Sequence, residues 1–189
     1  MQVRDLYASG GYYSMVRAAA VGQKGKVYAH NSMRAKERNG EKYAADFGKF
    51  KNIELLYGDA SATGLADNSL DMVTFVLLYH HNMYDESNPN GTPAGTTALY
   101  NEVKRVLKPG GTFLVIEHQA VEGASRADSA SWHRATAAAS IEDATSVGFE
   151  FAGDAPIHVN ADDPMNMHWG PAGMRGKTTR FVHKFTKPE

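Results

Sequence analysis

The chain has 189 residues, long enough for one well-packed domain and short for two. Hydrophobic residues make up 42% and charged residues 22%, the balance of a chain that can bury a core. A formal net charge of −1 supplies no basic stripe for nucleic acid, and the lack of cysteine excludes disulfides, thiolate metal sites and cysteine nucleophiles. No apolar run approaches the length of a membrane-spanning helix, and no signal-peptide pattern opens the chain.

Residues 1–6 read as a first strand, followed by the turn Gly10-Gly11. Good helix formers fill residues 12–21, and Gly22 ends them. Gly25 releases a second strand over 26–30. Ser32 is placed to cap a helix over 33–50, whose outward face is rich in Lys, Arg and Glu. A third strand over 53–57 leads into Gly58-Asp59-Ala60. Residues 70–78 are apolar apart from Asp71 and Thr74, as a parallel strand covered on both faces requires.

Residues 83–97 have the Asn, Pro, Gly and Thr content of a loop, and a loop of that length suits a lid or binding segment. Leu99, Val103, Val106 and Leu107 then recur at helical spacing. Pro109, Gly110 and Gly111 stop that helix before a fifth strand over 112–116. The polar stretch 119–130 precedes a helix in which Ser140-Ile141-Glu142-Asp143 has the form of a capping box and Gly148 the form of a stop. Late strands are expected over 149–159 and 179–186. The alternation predicts an α/β open sheet, mostly parallel with an antiparallel late strand, and helices on both faces.

In such a sheet, ligands bind at the carboxyl ends of the strands. Tyr79-His80-His81-Asn82 and Glu117-His118 fall at such ends, and His133 follows in Trp132-His133-Arg134. Imidazole titrates near neutral pH, so these are candidate acid–base groups. Together with Glu117 the histidines also suggest metal ligands. Against that, His80 and His81 would face opposite ways on a continued strand, and no helical His-x-x-x-His spacing is present. The expectation is therefore no metal.

Read in order, Gly10-Gly11-Tyr12-Tyr13, Gly25-Lys26-Val27-Tyr28-Ala29, Gly58-Asp59-Ala60, Tyr79-His80, Leu107-Lys108-Pro109-Gly110-Gly111, Glu117-His118, His133-Arg134 and Arg175-Gly176-Lys177-Thr178-Thr179-Arg180-Phe181-Val182 form a set. That set resembles class I S-adenosylmethionine (SAM)-dependent methyltransferases, in particular a group of small bacterial predicted methyltransferases. The resemblance covers nearly the whole chain. It implies a Rossmann-like domain over 1–189 without the helical region that usually precedes the first strand, so a removed leader would leave no trace.

The resemblance also implies SAM as cofactor, held by Asp5, Ser9, Gly10, Gly11, Asn31, Asp59 and Ala60. Two departures stand out. The family pattern is an acid followed by glycines at three alternate positions, and here Tyr7 and Ser9 replace the first two, so that Tyr7 would have to point away from the ligand. Asn31 stands where an acid normally accepts the ribose hydroxyls, and a neutral amide loses charge-assisted bonds.

His81 and His118 are the expected acceptor-contacting groups, with Tyr79 shaping the pocket. The expected partner is a small-molecule acceptor, with no nucleic acid and no membrane, a second copy of the chain as candidate assembly partner, and a cytoplasmic location. A non-catalytic domain that keeps the fold is the alternative, motivated by Tyr7, Ser9 and Asn31. A nicotinamide-dependent oxidoreductase fits worse, because the Gly-x-Gly-x-x-Gly turn is absent.

Overall fold

A computed structural model describes residues 1–189. Strands β1 (Gln2–Leu6), β2 (Lys26–Asn31), β3 (Ile53–Tyr57), β4 (Leu70–Val76), β5 (Leu107–His118), β6 (Glu150–Asp154) and β7 (Arg180–Thr186) form one sheet in the order β3-β2-β1-β4-β5-β7-β6. The first five are parallel, and β7 runs antiparallel to both β5 and β6. From β1 the chain builds outward to β2 and β3, then returns to place β4 on the other side of β1. The strand order therefore reverses between β1 and β4, and that reversal opens a crevice at their carboxyl ends.

Around the sheet lie α1 (Tyr12–Val21), α2 (Met33–Phe47), α3 (Ala94–Val106), α4 (Arg126–Ser131) and α5 (Ala137–Ser146). The main core packs Val73, Phe75, Phe113, Val115 and Phe185 of the sheet against Leu99, Tyr100 and Val103 of α3 and Ala139 and Ala144 of α5. A smaller cluster joins Ala29 of β2 to Tyr43 and Phe47 of α2. The segment between β6 and β7 is tied down by the buried pair Arg134–Asp163, 2.8 Å apart, while Arg134 also donates to the Met167 and Gln119 carbonyls.

Several boundaries differ from the sequence expectation. Strand β4 stops at Val76 rather than residue 78, because Leu77 turns into a left-handed conformation (φ 56°) and the chain enters a 3-10 turn, Tyr79–His81. Helix α2 stops at Phe47, three residues early, where the Gly48 N–H closes on the Ala44 carbonyl. The loop after Met83 is shorter than expected, since α3 starts at Ala94, and the polar stretch 119–130 contains the start of α4.

Strand β5 begins at Leu107, with a bulge opposite Leu70–Met72. Gly110, at φ 70°, donates its N–H to the Lys187 carbonyl in the tail, and the Lys187 N–H donates back to the Gly111 carbonyl. Thr136, rather than Ser140, caps α5 by accepting from the Ala139 N–H at 3.2 Å. Ser140 lies inside that helix and meets His183 Nδ1. The strand expected over 149–159 is confined to β6, with His158 making a lone bridge to Arg180.

Candidate functional site

The β1–α1 turn lies at the crevice. Ala8 donates to the His30 carbonyl at 2.8 Å, Gly11 donates to the Ala8 carbonyl at 2.8 Å, and the Ser9 N–H donates to Asn31 Oδ1 at 2.9 Å. Tyr7 (φ 51°) and Ser9 (φ 49°) both adopt the left-handed conformation that glycine would take most easily. The backbone shape of a Gly-rich turn is thus kept while two side chains are added. Gly11, at φ 82°, is required by contact as well: a Cβ there would stand 2.0 Å from Phe47 Cε1.

Two adjoining cavities flank this turn. One, of about 420 Å³, is bordered by Asp5, Ser9, Gly10, Gly11 and Tyr12. The other, of about 250 Å³, is bordered by Ser9, Asn31, Ser32, His81 and Asn82. Tyr7, Ser9 and Leu78 line both. Tyr7 therefore does not point away from the ligand space as the sequence suggested. Its ring is wedged edge-on against His30 at 5.4 Å and tilted against Phe75 at 5.9 Å, which leaves it at the junction.

Asp5 borders the first cavity, but its carboxylate is committed. It accepts from Ser14 Oγ at 2.6 Å and Thr74 Oγ1 at 2.9 Å, and Arg17 stands 3.1 Å away. Its work is to hold the turn. Asn31 is different: with Oδ1 taken by Ser9, its buried Nδ2 has no protein partner. Asp59 and Ala60 border neither cavity. Asp59 is exposed, and its Oδ1 accepts from the Ser61 N–H and Oγ, each at 2.8 Å, which holds the carboxyl below its usual range. This is an Asx turn, and it leaves Oδ2 free. The Ala60 carbonyl accepts from the buried Arg4 at 2.9 Å, while its N–H makes no backbone hydrogen bond.

The histidines converge because β4 ends early. On the 3-10 turn His80 and His81 fall on one side, with ring centroids 4.2 Å apart; the continued strand on which they would face opposite ways does not form. His133, held at φ 53° between α4 and α5, brings its Nδ1 to 3.2 Å from His80 Nε2. Glu117, fully buried, accepts from the His80 N–H and Nδ1, both at 3.0 Å, and from the His118 N–H at 2.7 Å.

Of the expected chemistry residues, only His81 borders a cavity. Partial desolvation at the cavity rim and the neighbouring His80 and His133 lower its pKa, although the side chain is exposed overall. His118 is buried against Trp169, its Nδ1 2.7 Å from Thr178 Oγ1, and burial pushes it down to about 4. Tyr79 is fully buried, and its hydroxyl donates to Asp143 Oδ2 at 2.6 Å within the Arg126–Asp143 ion pair. Burial raises that phenol well above its ordinary pKa, so Tyr79 packs the core beneath the site and does not shape the pocket wall. Sequence reasoning missed Ser32 and Leu78 as cavity residues, and nothing in their local pattern marks them.

The residues present fit a nucleoside-bearing cofactor. A Cβ on Gly10 would meet nothing within 4 Å, so the backbone there is open to close approach, and Asn31 Nδ2 offers a buried donor to a hydroxyl oxygen. The sequence profile of a family described as "Methyltransferase domain" matches residues 9–115, more than half of the chain. No protein of curated function matches the chain by sequence.

The fold is shared with solved structures. One is a SAM-dependent methyltransferase from Aquifex aeolicus (17% identity, 99% of this chain and 82% of that one, TM-score 0.67). Another is a SAM-dependent methyltransferase from Methanosarcina mazei (16% identity, 99% and 92%, TM-score 0.65). An arsenic(III) SAM methyltransferase from Chlamydomonas reinhardtii also matches (18% identity, 100% and 64%, TM-score 0.64). The chain belongs to the methyltransferase-domain family of class I, SAM-dependent proteins.

Proposed function

We propose that this protein transfers a methyl group from SAM to a small-molecule acceptor held beside His81. The observation that carries this reading is the pair of cavities at the strand-order reversal, joined through Tyr7, Ser9 and Leu78, with the open backbone of Gly10 on one side and His81 on the other. In this reading the Ser9–Gly11 turn and Asn31 hold the cofactor. Asn31 donates through Nδ2 to a ribose hydroxyl, and Asp59 Oδ2 with the Ala60 N–H reaches the adenine edge.

The bound cofactor supplies an electrophilic methyl on a sulfonium. The chain's part is alignment: Tyr7 walls the junction, and His81 orients the acceptor's nucleophile for in-line displacement. A small acceptor suits the second cavity's volume of about 250 Å³ and a surface without the net positive charge that nucleic acid demands.

One observation favours the alternative, a non-catalytic domain: Tyr7 and Ser9 stand where the family pattern has glycine, and Tyr7 borders both cavities. Formation of S-adenosylhomocysteine is measured against pools of phenols, amines, thiols and carboxylates. Methyltransfer to one pool, reduced by His81→Ala, is the expected result. Cofactor binding with no turnover in any pool supports the non-catalytic reading.

A further inference from the structure

We propose that His80, His81 and His133 bind one divalent transition-metal ion of the zinc class, with an open coordination position toward the cavity bordered by Tyr7, Ser9 and Asn31. The ligating nitrogens of the three imidazoles all lie within 4.8 Å of one another. His80 Nε2 and His133 Nδ1 are 3.2 Å apart. Two nitrogens on one tetrahedral ion at 2.0–2.1 Å stand about 3.3 Å from each other, so this pair is already at ligand spacing. An N–H···N hydrogen bond accounts for that pair but not for the third ring.

Glu117 supplies the independent observation. Its buried carboxylate accepts from His80 Nδ1, which fixes the proton there and turns the Nε2 lone pair toward His133 and His81. Metal-bound histidines characteristically donate their other ring nitrogen to a carboxylate in this way. His80 and Glu117 are locked by burial and hydrogen bonds, whereas His81 is exposed and can rotate through the remaining distance. An all-imidazole set suits zinc, copper, nickel or iron and not magnesium or calcium. Three histidines leave a fourth position free, and because His81 also borders the second cavity, that position faces the cavity.

There the ion takes an anionic oxygen or sulfur, so that His81 acts on the acceptor through the metal. This last role rests on the methyl-transfer reading; metal binding does not.

The test uses full-length, untagged protein stripped with a chelator, titrated with Zn²⁺ by calorimetry and with Co²⁺ by visible absorption. Expected are one ion per chain and the d–d bands of a four- or five-coordinate site. Affinity should fall at least about 100-fold in His81→Ala and His133→Ala and about 10–100-fold in Glu117→Gln. His158→Ala, at an exposed histidine outside the cluster, should bind as wild type. His81 is exposed, so thermal unfolding of His81→Ala stays at the wild-type midpoint and the result stands even if Glu117→Gln fails to fold. No saturable one-to-one binding, or wild-type affinity in His81→Ala and His133→Ala, overturns the site. S-adenosylhomocysteine is titrated into the metal-free protein in parallel. Its binding without any ion binding overturns the metal site alone, and ion binding without it overturns only the cofactor reading.

Discussion

Replacing Gly11 with alanine probes the contact that sets the β1–α1 turn against α2. Gly11 has φ 82°, a conformation that costs an L-residue about 1–2 kcal/mol. The new Cβ would lie 2.0 Å from Phe47 Cε1 and 2.1 Å from Cζ, and Phe47 is buried at the end of α2, where no flexible end can swing aside. Overpacking of this kind costs about 1–3 kcal/mol, offset by about 0.4–1 kcal/mol from the stiffer unfolded chain. Gly11→Ala should therefore destabilise the fold by about 2–4 kcal/mol. It should also weaken S-adenosylhomocysteine binding, because displacing the turn strains the Ser9–Asn31 hydrogen bond. Urea unfolding read by circular dichroism gives the first quantity and calorimetry the second. In a double-mutant cycle with Phe47→Leu, the overpacking part should reappear as a coupling of about 1 kcal/mol or more. A Gly11→Ala protein within about 0.5 kcal/mol of wild type, or a cycle with no coupling, would refute the reasoning.

Other substitutions separate the proposed cofactor cradle from the core. Asn31→Asp keeps the oxygen that accepts from Ser9 and turns the unpartnered Nδ2 into a charged acceptor. Cofactor affinity should rise by about 1–2 kcal/mol if ribose hydroxyls lie there, and an unchanged affinity would remove Asn31 from the site. Tyr79→Phe deletes the hydroxyl bonded to Asp143, which keeps its bonds to Arg126 and Thr92. It should cost about 1–3 kcal/mol in urea unfolding without altering cofactor affinity; a large affinity loss would return Tyr79 to the site. Burial pushes His30 and His183 down to about 4 in the folded chain, against the ordinary 6.5 when unfolded. The unfolded state thus takes up protons first. Stability should be full above pH about 6.5, fall as the pH drops toward 4, and level off below, by up to about 3 kcal/mol per group. Unfolding midpoints across that range test this, with a shallower loss in His183→Gln as the control.

The parallel sheet was legible because its strands are short apolar runs punctuated by glycine, and Gly10-Gly11 marked the β1–α1 turn for the same reason. The end of β4 was not legible, since Leu77 and Leu78 continue the apolar pattern while the backbone leaves the strand at Leu77. That error carried through to His80 and His81, whose shared side follows from the 3-10 turn alone. Long-range partners defeated the other readings. Tyr79 is claimed by Asp143, 64 positions away. Glu142 and Asp143, the acids of the expected capping box, pair with Arg126 and leave the cap to Thr136. Asp59 shows the converse, a purely local Asx turn that a sequence can suggest but not separate from ligand contact. Side-chain direction was the remaining gap: Tyr7 keeps a glycine-like backbone, and the ring's position between His30 and Phe75 depends on strands far apart in sequence.

The central claim is that the β1–α1 turn binds SAM through close approach to its backbone, and calorimetric titration of S-adenosylhomocysteine into wild type and Gly10→Ala tests it most directly. A Cβ at Gly10 meets no protein atom within 4 Å, so the variant should unfold like wild type while its new methyl stands in open space at the cavity proposed to take the cofactor. Saturable one-to-one binding to wild type, weakened at least about tenfold in Gly10→Ala, is the predicted result, a difference of about 1.4 kcal/mol. Absence of binding to wild type, or equal affinity in the two proteins, would contradict it.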